Sequence, residues 1–141
     1  MKKYLLLLLF TGIIYSLSAQ EKSTGAPASA KQAFAKAFPG ASKVKWEKEG
    51  KEYEVNFVQA GKEMSAVYDE KGTLTETEEE IKPSALSASI VTYVKEHYKG
   101  AAIKEAAKIT KPNGDVMYEA VVNKTDLIFD ANGKFIKEEK D

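Results

Sequence analysis

The amino-acid sequence predicts an α+β fold made of two tandem repeats, each a helix followed by antiparallel strands, with both helices packed on one face of the sheet. Three observations support this prediction. A helical apolar stripe begins near residue 30, the pattern changes to period-two alternation after residue 40, and both patterns recur from residue 83 onwards. Short segments rich in Gly, Asn and Asp separate the alternating runs, as expected for hairpin turns.

The first 19 residues are organised like a secretory signal peptide. Lys2 and Lys3 form a positive n-region, and Leu5 to Phe10 begins an apolar h-region. Small residues precede a predicted cleavage after Ala19. A membrane-spanning helix needs roughly 20 apolar residues, and polar residues interrupt this run. The protein is therefore expected to be periplasmic or secreted, with no stable membrane anchor.

Composition narrows the remaining possibilities. Residues 20–29 are predicted to be a flexible leader, and residues 30–141 one domain that starts with Ser29 as helix N-cap. Every basic residue is lysine, and removal of Lys2 and Lys3 leaves 19 lysines against 21 acidic residues. This balance argues against nucleic acid as a partner. Because the chain has no cysteine, packing and sheet pairing must stabilise the fold.

The first repeat begins with a helical pattern and continues with alternating strands. The helix is predicted to end at Pro39-Gly40, and a threonine-rich fourth strand is predicted over residues 73–80. The predicted turns are Gly50-Lys51, Ala60-Gly61 and Asp69-Glu70-Lys71-Gly72. The helical stripe is Ala30, Phe34, Ala37 and Phe38, and the alternating apolar residues are Val44, Trp46, Tyr53, Val55, Phe57, Met64, Ala66 and Tyr68.

The second repeat follows the same order. Pro83-Ser84 is predicted to open its helix and Lys99-Gly100 to end it. Ile103, Ala107 and Ile109 indicate the first strand after that helix. The helical stripe is Leu86, Ile90, Tyr93, Val94, His97 and Tyr98, and the later strand residues are Val116, Tyr118, Ala120, Val122, Leu127, Phe129, Phe135 and Ile136.

Three short matches in the same order show the internal repeat directly. They pair Phe38-Pro39-Gly40-Ala41 with Tyr98-Lys99-Gly100-Ala101, Tyr53-Glu54-Val55 with Tyr118-Glu119-Ala120, and Tyr68-Asp69-Glu70-Lys71-Gly72 with Phe129-Asp130-Ala131-Asn132-Gly133. Repeat one covers about residues 30–81 and repeat two about residues 82–141. Because either half alone is marginal in size, we expect one seven- or eight-stranded sheet with both helices on one side. The alternative is two four-stranded layers packed through the helices.

These motifs resemble those of the exported PepSY-like proteins, also described as β-lactamase-inhibitor-protein-like. The resemblance rests on the aromatic-x-Gly-Ala segment after each helix, the Trp46 strand, the Tyr-Glu-Val strand and the aromatic-Asp-x-x-Gly hairpin, and it covers about residues 30–138. It implies helices packed on a curved antiparallel sheet and a role in binding or inhibition. Nothing in the chain matches a known inhibitory loop, so no functional residue is carried over from the family.

The alternation divides the strand residues between two faces of the sheet. The aromatic residues share the face predicted to lie under the helices, and the opposite face mixes charged residues with a small aliphatic group. We predict the opposite face as the binding surface; its candidate residues are Val58, Val67, Val121, Ile128, Lys45 and Glu54. If the aromatic residues instead lie on the open face, the recognition patch would be Trp46, Tyr53, Tyr68 and Tyr118.

No pattern of catalytic, cofactor-binding or metal-ligating residues is found. His97 is the single histidine and lies on a helical stripe, so we interpret it as structural. The two Asp-x-x-Gly segments are interpreted as hairpin turns because they lack the further ligands of a calcium loop. The leading hypothesis is a non-enzymatic module that recognises an envelope or extracellular protein or peptide. The alternative is a carrier of a small apolar ligand held between sheet and helices, with a cavity beside Trp46.

Overall fold

A computed structural model describes residues 25–140, so the predicted signal peptide and most of the predicted leader lie outside the described residues. The helices are α1 (Ala28–Ala37) and α2 (Ala88–His97), and a short 3-10 turn spans Pro83–Ala85. The strands are β1 (Ser42–Glu49), β2 (Glu52–Gln59), β3 (Lys62–Tyr68), β4 (Leu74–Ile81), β5 (Glu105–Thr110), β6 (Val116–Val122), β7 (Thr125–Asp130) and β8 (Phe135–Lys140).

The eight strands form one antiparallel sheet in the order in which they occur along the chain. Each repeat contributes one helix and four strands, which confirms the predicted α+β class and its tandem repeats. The repeats join where β4 pairs with β5, for example Glu78 with Ile109. The alternative of two separate four-stranded layers is therefore wrong, because backbone hydrogen bonds run across the boundary between the repeats.

Both helices pack on the same face of the sheet, each over the strands of its own repeat. Buried Ala30 and Phe34 of α1 meet the first repeat's strand residues, and Ile90 and Val94 of α2 meet those of the second. The first cluster includes Val55, Phe57, Ala66 and Tyr68; the second includes Ala106, Ala120, Val122, Leu127 and Phe129. The predicted helix-covered face, with Tyr53, Tyr68 and Phe129 buried, is confirmed.

The hairpin between β3 and β4 locks α1 onto the sheet. The Asp69 carboxylate accepts hydrogen bonds from the backbone N–H groups of Lys71 (2.9 Å) and Thr73 (2.8 Å), which fixes the turn. Gly72 lies in the left-handed region at φ +82°, and a Cβ there would come within 2.5 Å of the Ser29 hydroxyl. The turn can therefore approach the start of α1 only because residue 72 is glycine.

The second repeat builds the same contact between the β7–β8 hairpin and α2. The Asp130 carboxylate accepts from the N–H groups of Asn132 (2.8 Å) and Lys134 (2.9 Å). A Cβ at Gly133 would overlap the hydroxyl of Ser89. The Asp-x-x-Gly motif is thus a hairpin, as predicted. In each repeat this hairpin packs against the start of the helix.

Both predicted helix starts are wrong. α1 begins at Ala28 after Pro27 and has no side-chain cap, because Ser29 lies inside the helix and packs against Gly72. α2 begins at Ala88, and the Ser87 hydroxyl caps it by accepting from the N–H of Ile90. Pro83-Ser84 belongs to the 3-10 turn instead, since extended backbone at residue 86 separates that turn from the helix.

The first strand of repeat two also differs from prediction. Ile103 lies before β5 and packs against the α2 core cluster. Ala107 instead pairs with Glu119 and lies on the opposite face, as does Ile109. A loop before Glu105 changes the phase of the alternation, so residues 103, 107 and 109 do not share a face. Among residues 25–140, no helix is long and apolar enough to cross a membrane.

Replacing Gly72 with alanine should destabilise the protein more than replacing Gly61. Both glycines have nearly the same positive φ, +82° and +79°, but only Gly72 has atoms within 4 Å of the added Cβ. The Gly61→Ala variant should lose about 1–2 kcal/mol from backbone strain, and Gly72→Ala about 1–3 kcal/mol more from overpacking against α1. Urea unfolding measures the free energy of unfolding of both variants. Equal losses would contradict a close contact between Gly72 and the start of α1.

Candidate binding face of the sheet

The face of the sheet opposite the helices is called the uncovered face here, because neither described helix lies on it. The strand registers define its rows: Glu47 pairs with Glu54, Glu54 with Val67, and Glu119 with both Ala107 and Ile128. By this register all six candidate residues share the uncovered face: Lys45, Glu54, Val58, Val67, Val121 and Ile128.

The six candidate side chains differ in solvent exposure, and the alternation of the sequence does not predict these differences. Lys45 is exposed, and Val58, Val67 and Val121 are half-buried. Glu54 and Ile128, in contrast, are only 3% and 1% exposed. Side chains on adjacent strands stand about 4.8 Å apart, so long side chains on this face can cover their neighbours. The three valines are therefore the candidates that offer apolar surface directly.

The uncovered face is dominated by carboxylates. Its acidic residues are Glu47, Glu49, Glu52, Glu54, Glu63, Glu76, Glu78, Glu80, Glu105, Glu119, Asp126 and Glu139. Three lysines oppose them. Lys45 pairs with Glu47 (2.6 Å), Lys137 with Glu139 (3.0 Å), and Lys111 with Glu76. Although the chain as a whole is neutral, this face carries a large excess of negative groups.

Two of these carboxylates occupy equivalent positions in the two repeats. Glu54 on β2 and Glu119 on β6 are the middle residues of the Tyr53-Glu54-Val55 and Tyr118-Glu119-Ala120 matches. They are only 3% and 4% exposed, and the Oε2 atom of each has no hydrogen-bond partner. We call this pair the twin glutamates. A buried acceptor without a partner is costly, so its occurrence at both repeat positions needs an explanation beyond folding.

Burial raises the pKa values of the twin glutamates into the neutral range. For Glu54, burial is the main cause and the nearby charges of Glu47, Glu49 and Glu76 add to it, raising its pKa to about 7 despite the opposing effect of the Ser65 hydroxyl. For Glu119, burial and then the charge of Asp126 raise the pKa to about 8. Both groups therefore change charge close to physiological pH.

Glu78 lies between the twin glutamates on β4 and links them electrostatically. Burial raises its pKa well above the ordinary value, and the charges of Glu119, Glu76 and Glu54 raise it further, whereas Lys111 lowers it. No group of three or more acidic or histidine side chains within residues 25–140 is arranged to hold a metal ion. The carboxylates thus form an extended acidic surface, without the convergent geometry of a metal centre.

The alternative aromatic patch lies on the wrong side of the sheet for an open recognition surface. Trp46, Tyr53, Tyr68 and Tyr118 share the helix-covered face, where Tyr68 is fully buried and Tyr53 is 8% exposed. The Trp46 ring lies 5.7 Å from the rings of both Phe34 and Tyr68. These side chains pack the core between helix and sheet, because their strand positions alternate with those of the carboxylates.

A surface groove of about 560 Å³ lies beside α2 and the β7–β8 hairpin. It is lined by Ser89, Thr92, Tyr93, Glu96, Gly133, Lys134 and Phe135 and is open to solvent. Phe135 stacks on Tyr93 (4.7 Å), and Tyr93 stacks on His97 (3.9 Å). His97 is exposed, and its Nδ1 is 2.8 Å from the Tyr93 carbonyl oxygen. Trp46 is not among the lining residues, so this groove is not the cavity beside Trp46 that the carrier hypothesis expects.

The fold and this face define an α+β repeat protein with two helices on one side of an eight-stranded antiparallel sheet and an acidic surface on the other. A family model described as "Putative beta-lactamase-inhibitor-like, PepSY-like" matches the chain twice, over residues 22–76 and 61–137. The chain belongs to this family, as the resemblance in its sequence motifs implies. No curated protein matches it.

Several solved structures share the fold. A BLIP-like protein from Bacteroides fragilis is 22% identical with a TM-score of 0.63, and the match covers 80% of this chain and 84% of that one. A protein from Bacteroides eggerthii described as "putative periplasmic" has 15% identity and a TM-score of 0.71, with 81% and 88% covered. A DUF2874 family protein from Bacteroides uniformis has 16% identity, a TM-score of 0.70 and the same coverage. At these identities the likeness is one of fold.

The free energy of unfolding should fall as pH rises from about 5 to about 8. The twin glutamates have pKa values of about 7 and about 8 in the folded protein, against 4.5 as the ordinary value. The folded state therefore binds more protons than the unfolded state in this window, and deprotonation favours unfolding. Urea unfolding at successive pH values measures the slope.

The Glu54→Gln/Glu119→Gln double variant should flatten this pH dependence, because glutamine imitates the protonated acid at every pH. It should also be more stable than the parent protein at pH 9. Glu96→Gln, on the exposed surface of α2, is the matched control and should keep the parent slope. A parent protein whose stability rises from pH 5 to pH 8 would contradict the assignment of the twin glutamates.

Proposed function

We propose that this protein is a non-enzymatic binding module of the cell envelope that recognises a protein or peptide through its uncovered face. One observation carries the proposal: a whole face of an eight-stranded sheet has no described helix packed on it and combines half-buried valines with carboxylates. Apolar side chains surrounded by polar groups are typical of interaction surfaces.

The arrangement of the two repeats supports an extended contact. Val67 on β3 and Val121 on β6 lie in different repeats, so a partner touching both would cross several strands. In one row of the face polar and apolar groups alternate, and Glu119 stands between Ala107 and Ile128. A partner could therefore bury aliphatic groups and still place hydrogen-bond donors opposite the carboxylates, which is how protein interfaces combine affinity with specificity.

The family description and the predicted export signal support the same proposal. The family is described as inhibitor-like, and one structure of the same fold is described as "putative periplasmic". Residues 1–19, with the composition of a signal peptide, would deliver the chain to the compartment where such a partner is available. The target itself is identified by neither observation.

A non-catalytic role agrees with where the chain places its reactive groups. The single histidine, His97, is exposed at the end of α2 on the helix side, away from the acidic face. Ser87 and Ser89 bond to each other at 2.8 Å and serve the helix start. Both serines are thus engaged at the start of α2, and His97 bonds to its own helix through the Tyr93 carbonyl oxygen.

Replacing Val67 and Val121 with serine should weaken capture of the partner without unfolding the protein. The half-buried valines offer apolar area, and serine removes that area without changing the charge of the face. A pull-down from an envelope extract, compared across variants, measures capture, and circular dichroism checks the fold. Val91→Ser, at a valine 44% exposed on α2, is the matched control and should capture normally. Undiminished capture by the double variant would reject the uncovered face as the binding surface.

A further inference from the structure

We propose that the partner segment bound by the uncovered face is cationic, and that its lysine or arginine side chains meet the carboxylates of Glu54 and Glu119. This inference rests on the proposed function, because it assigns a chemical class to the partner of the same face. The site it names is a pair of equivalent positions, one in each repeat, on strands β2 and β6.

Charge complementarity is the first step. The acidic residues of the uncovered face far outnumber Lys45, Lys111 and Lys137, and each of those lysines already contacts a carboxylate. A surface of one sign attracts partners of the opposite sign and repels those of its own. An acidic segment would add repulsion to this face, whereas a segment carrying lysine or arginine would reduce the repulsion already present among its carboxylates.

The unpartnered oxygens are the second, independent step. The Oε2 atoms of Glu54 and Glu119 are buried without a well-aligned hydrogen bond, although the Ser65 hydroxyl lies close enough to influence the Glu54 carboxyl. Buried polar atoms in folded proteins nearly always have partners, and an ammonium or guanidinium group supplies donors without bringing a competing acceptor. A cationic side chain that displaces the neighbouring side chains covering either carboxyl would therefore satisfy an atom that the chain itself leaves unsatisfied.

The immediate neighbours of the twin glutamates suit a long cationic side chain. Val67 is paired with Glu54, and Ile128 is paired with Glu119, at matching positions of the two repeats. Lysine and arginine carry their charge at the end of an apolar stem that packs well on aliphatic surface. Each repeat thus places one carboxyl beside one aliphatic side chain, although only half-buried Val67 offers apolar surface directly, since Ile128 is 1% exposed. The two repeats together would contact two cationic residues of one segment.

Proton release provides the signature of this binding mode. A cation binds the ionised carboxylate, so binding must displace the protons that Glu54 and Glu119 hold near neutral pH. The charges facing Glu54 are Glu47, Glu49 and Glu76, and those facing Glu119 are Asp126, Glu105, Glu139 and Glu76. Glu78 interacts with both. The lysines of the face, Lys45, Lys111 and Lys137, contact Glu47, Glu76 and Glu139 respectively. The affinity for a lysine-bearing segment should therefore increase with pH.

The test uses protein purified from cells that express the full chain. Its probe is a fluorescent twelve-residue peptide of alternating lysine and valine, and a peptide of alternating glutamate and valine is the matched control. Fluorescence anisotropy gives the dissociation constant of each peptide between pH 6 and pH 9, where lysine stays charged. Glu54→Gln/Glu119→Gln removes the twin glutamates, and Glu70→Gln/Glu96→Gln removes the same charge from exposed positions elsewhere.

We expect the lysine peptide to bind and the glutamate peptide to fail. Affinity should rise roughly tenfold or more from pH 6 to pH 9, because a carboxyl with a pKa of about 8 is only about one-hundredth ionised at pH 6. At pH 9 the Glu54→Gln/Glu119→Gln variant should bind roughly tenfold more weakly, with little remaining pH dependence. The Glu70→Gln/Glu96→Gln variant should match the parent protein.

Three results would overturn the inference: no binding of the lysine peptide, equal weakening in both double variants, or displacement of the peptide by an equal concentration of spermidine. The last would assign the site to small cations. Failure of the proposed function is separately recognisable. If Val67→Ser/Val121→Ser still captures the envelope partner at full strength, the face is wrong. If that variant loses capture but the segment bound by the parent protein lacks lysine and arginine, only the cationic character of the segment is wrong.

Discussion

One-sided packing of the helices on the sheet is the constraint on which the rest of this structure depends. Each helix is ten residues long and packs mainly on the strands of its own repeat, so its apolar stripe faces the aromatic residues on one side. Pairing of β4 with β5 then makes a single sheet from two halves that would each be marginal alone. Because both helices lie on the same face, the strand residues on the opposite face do not pack against either described helix. Many of those residues are glutamates.

The internal repeat explains why features of this structure occur in pairs. Gly72 and Gly133 each let a hairpin approach a helix start, and Glu54 and Glu119 each place a buried carboxylate on the opposite face. The first pair is needed by the fold, because an added Cβ would collide with the helix. The second pair works against stability at neutral pH, since burial and like charges oppose ionisation. Retaining such a cost at both positions is the physical basis for assigning the twin glutamates to binding.

The alternation of residue types predicted the strands and their two faces well, because a sheet buried on one side repeats every two residues. Two-residue turns such as Gly50-Lys51 could be predicted from the sequence equally well. The helix starts were not, because Ser29 and Pro83 carry good local signals that tertiary contacts overrule. Nor could alternation predict that Glu54 and Ile128 would be buried, since that depends on neighbours across strands. The match between Tyr53-Glu54 and Tyr118-Glu119 did predict that the two glutamates occupy equivalent positions. It did not predict their burial, because a glutamate at such a position could equally be solvated.

The central claim is that the uncovered face carries two equivalent buried carboxyl groups that hold protons near neutral pH and become charged when a cationic partner binds. The most direct measurement is an NMR titration of the side-chain carboxyl carbons of Glu54 and Glu119 in the free protein, assigned with the two single glutamine variants. The account predicts midpoints of about 7 for Glu54 and about 8 for Glu119. Midpoints for both residues near the ordinary value of 4.5 would show two solvated acids and contradict it.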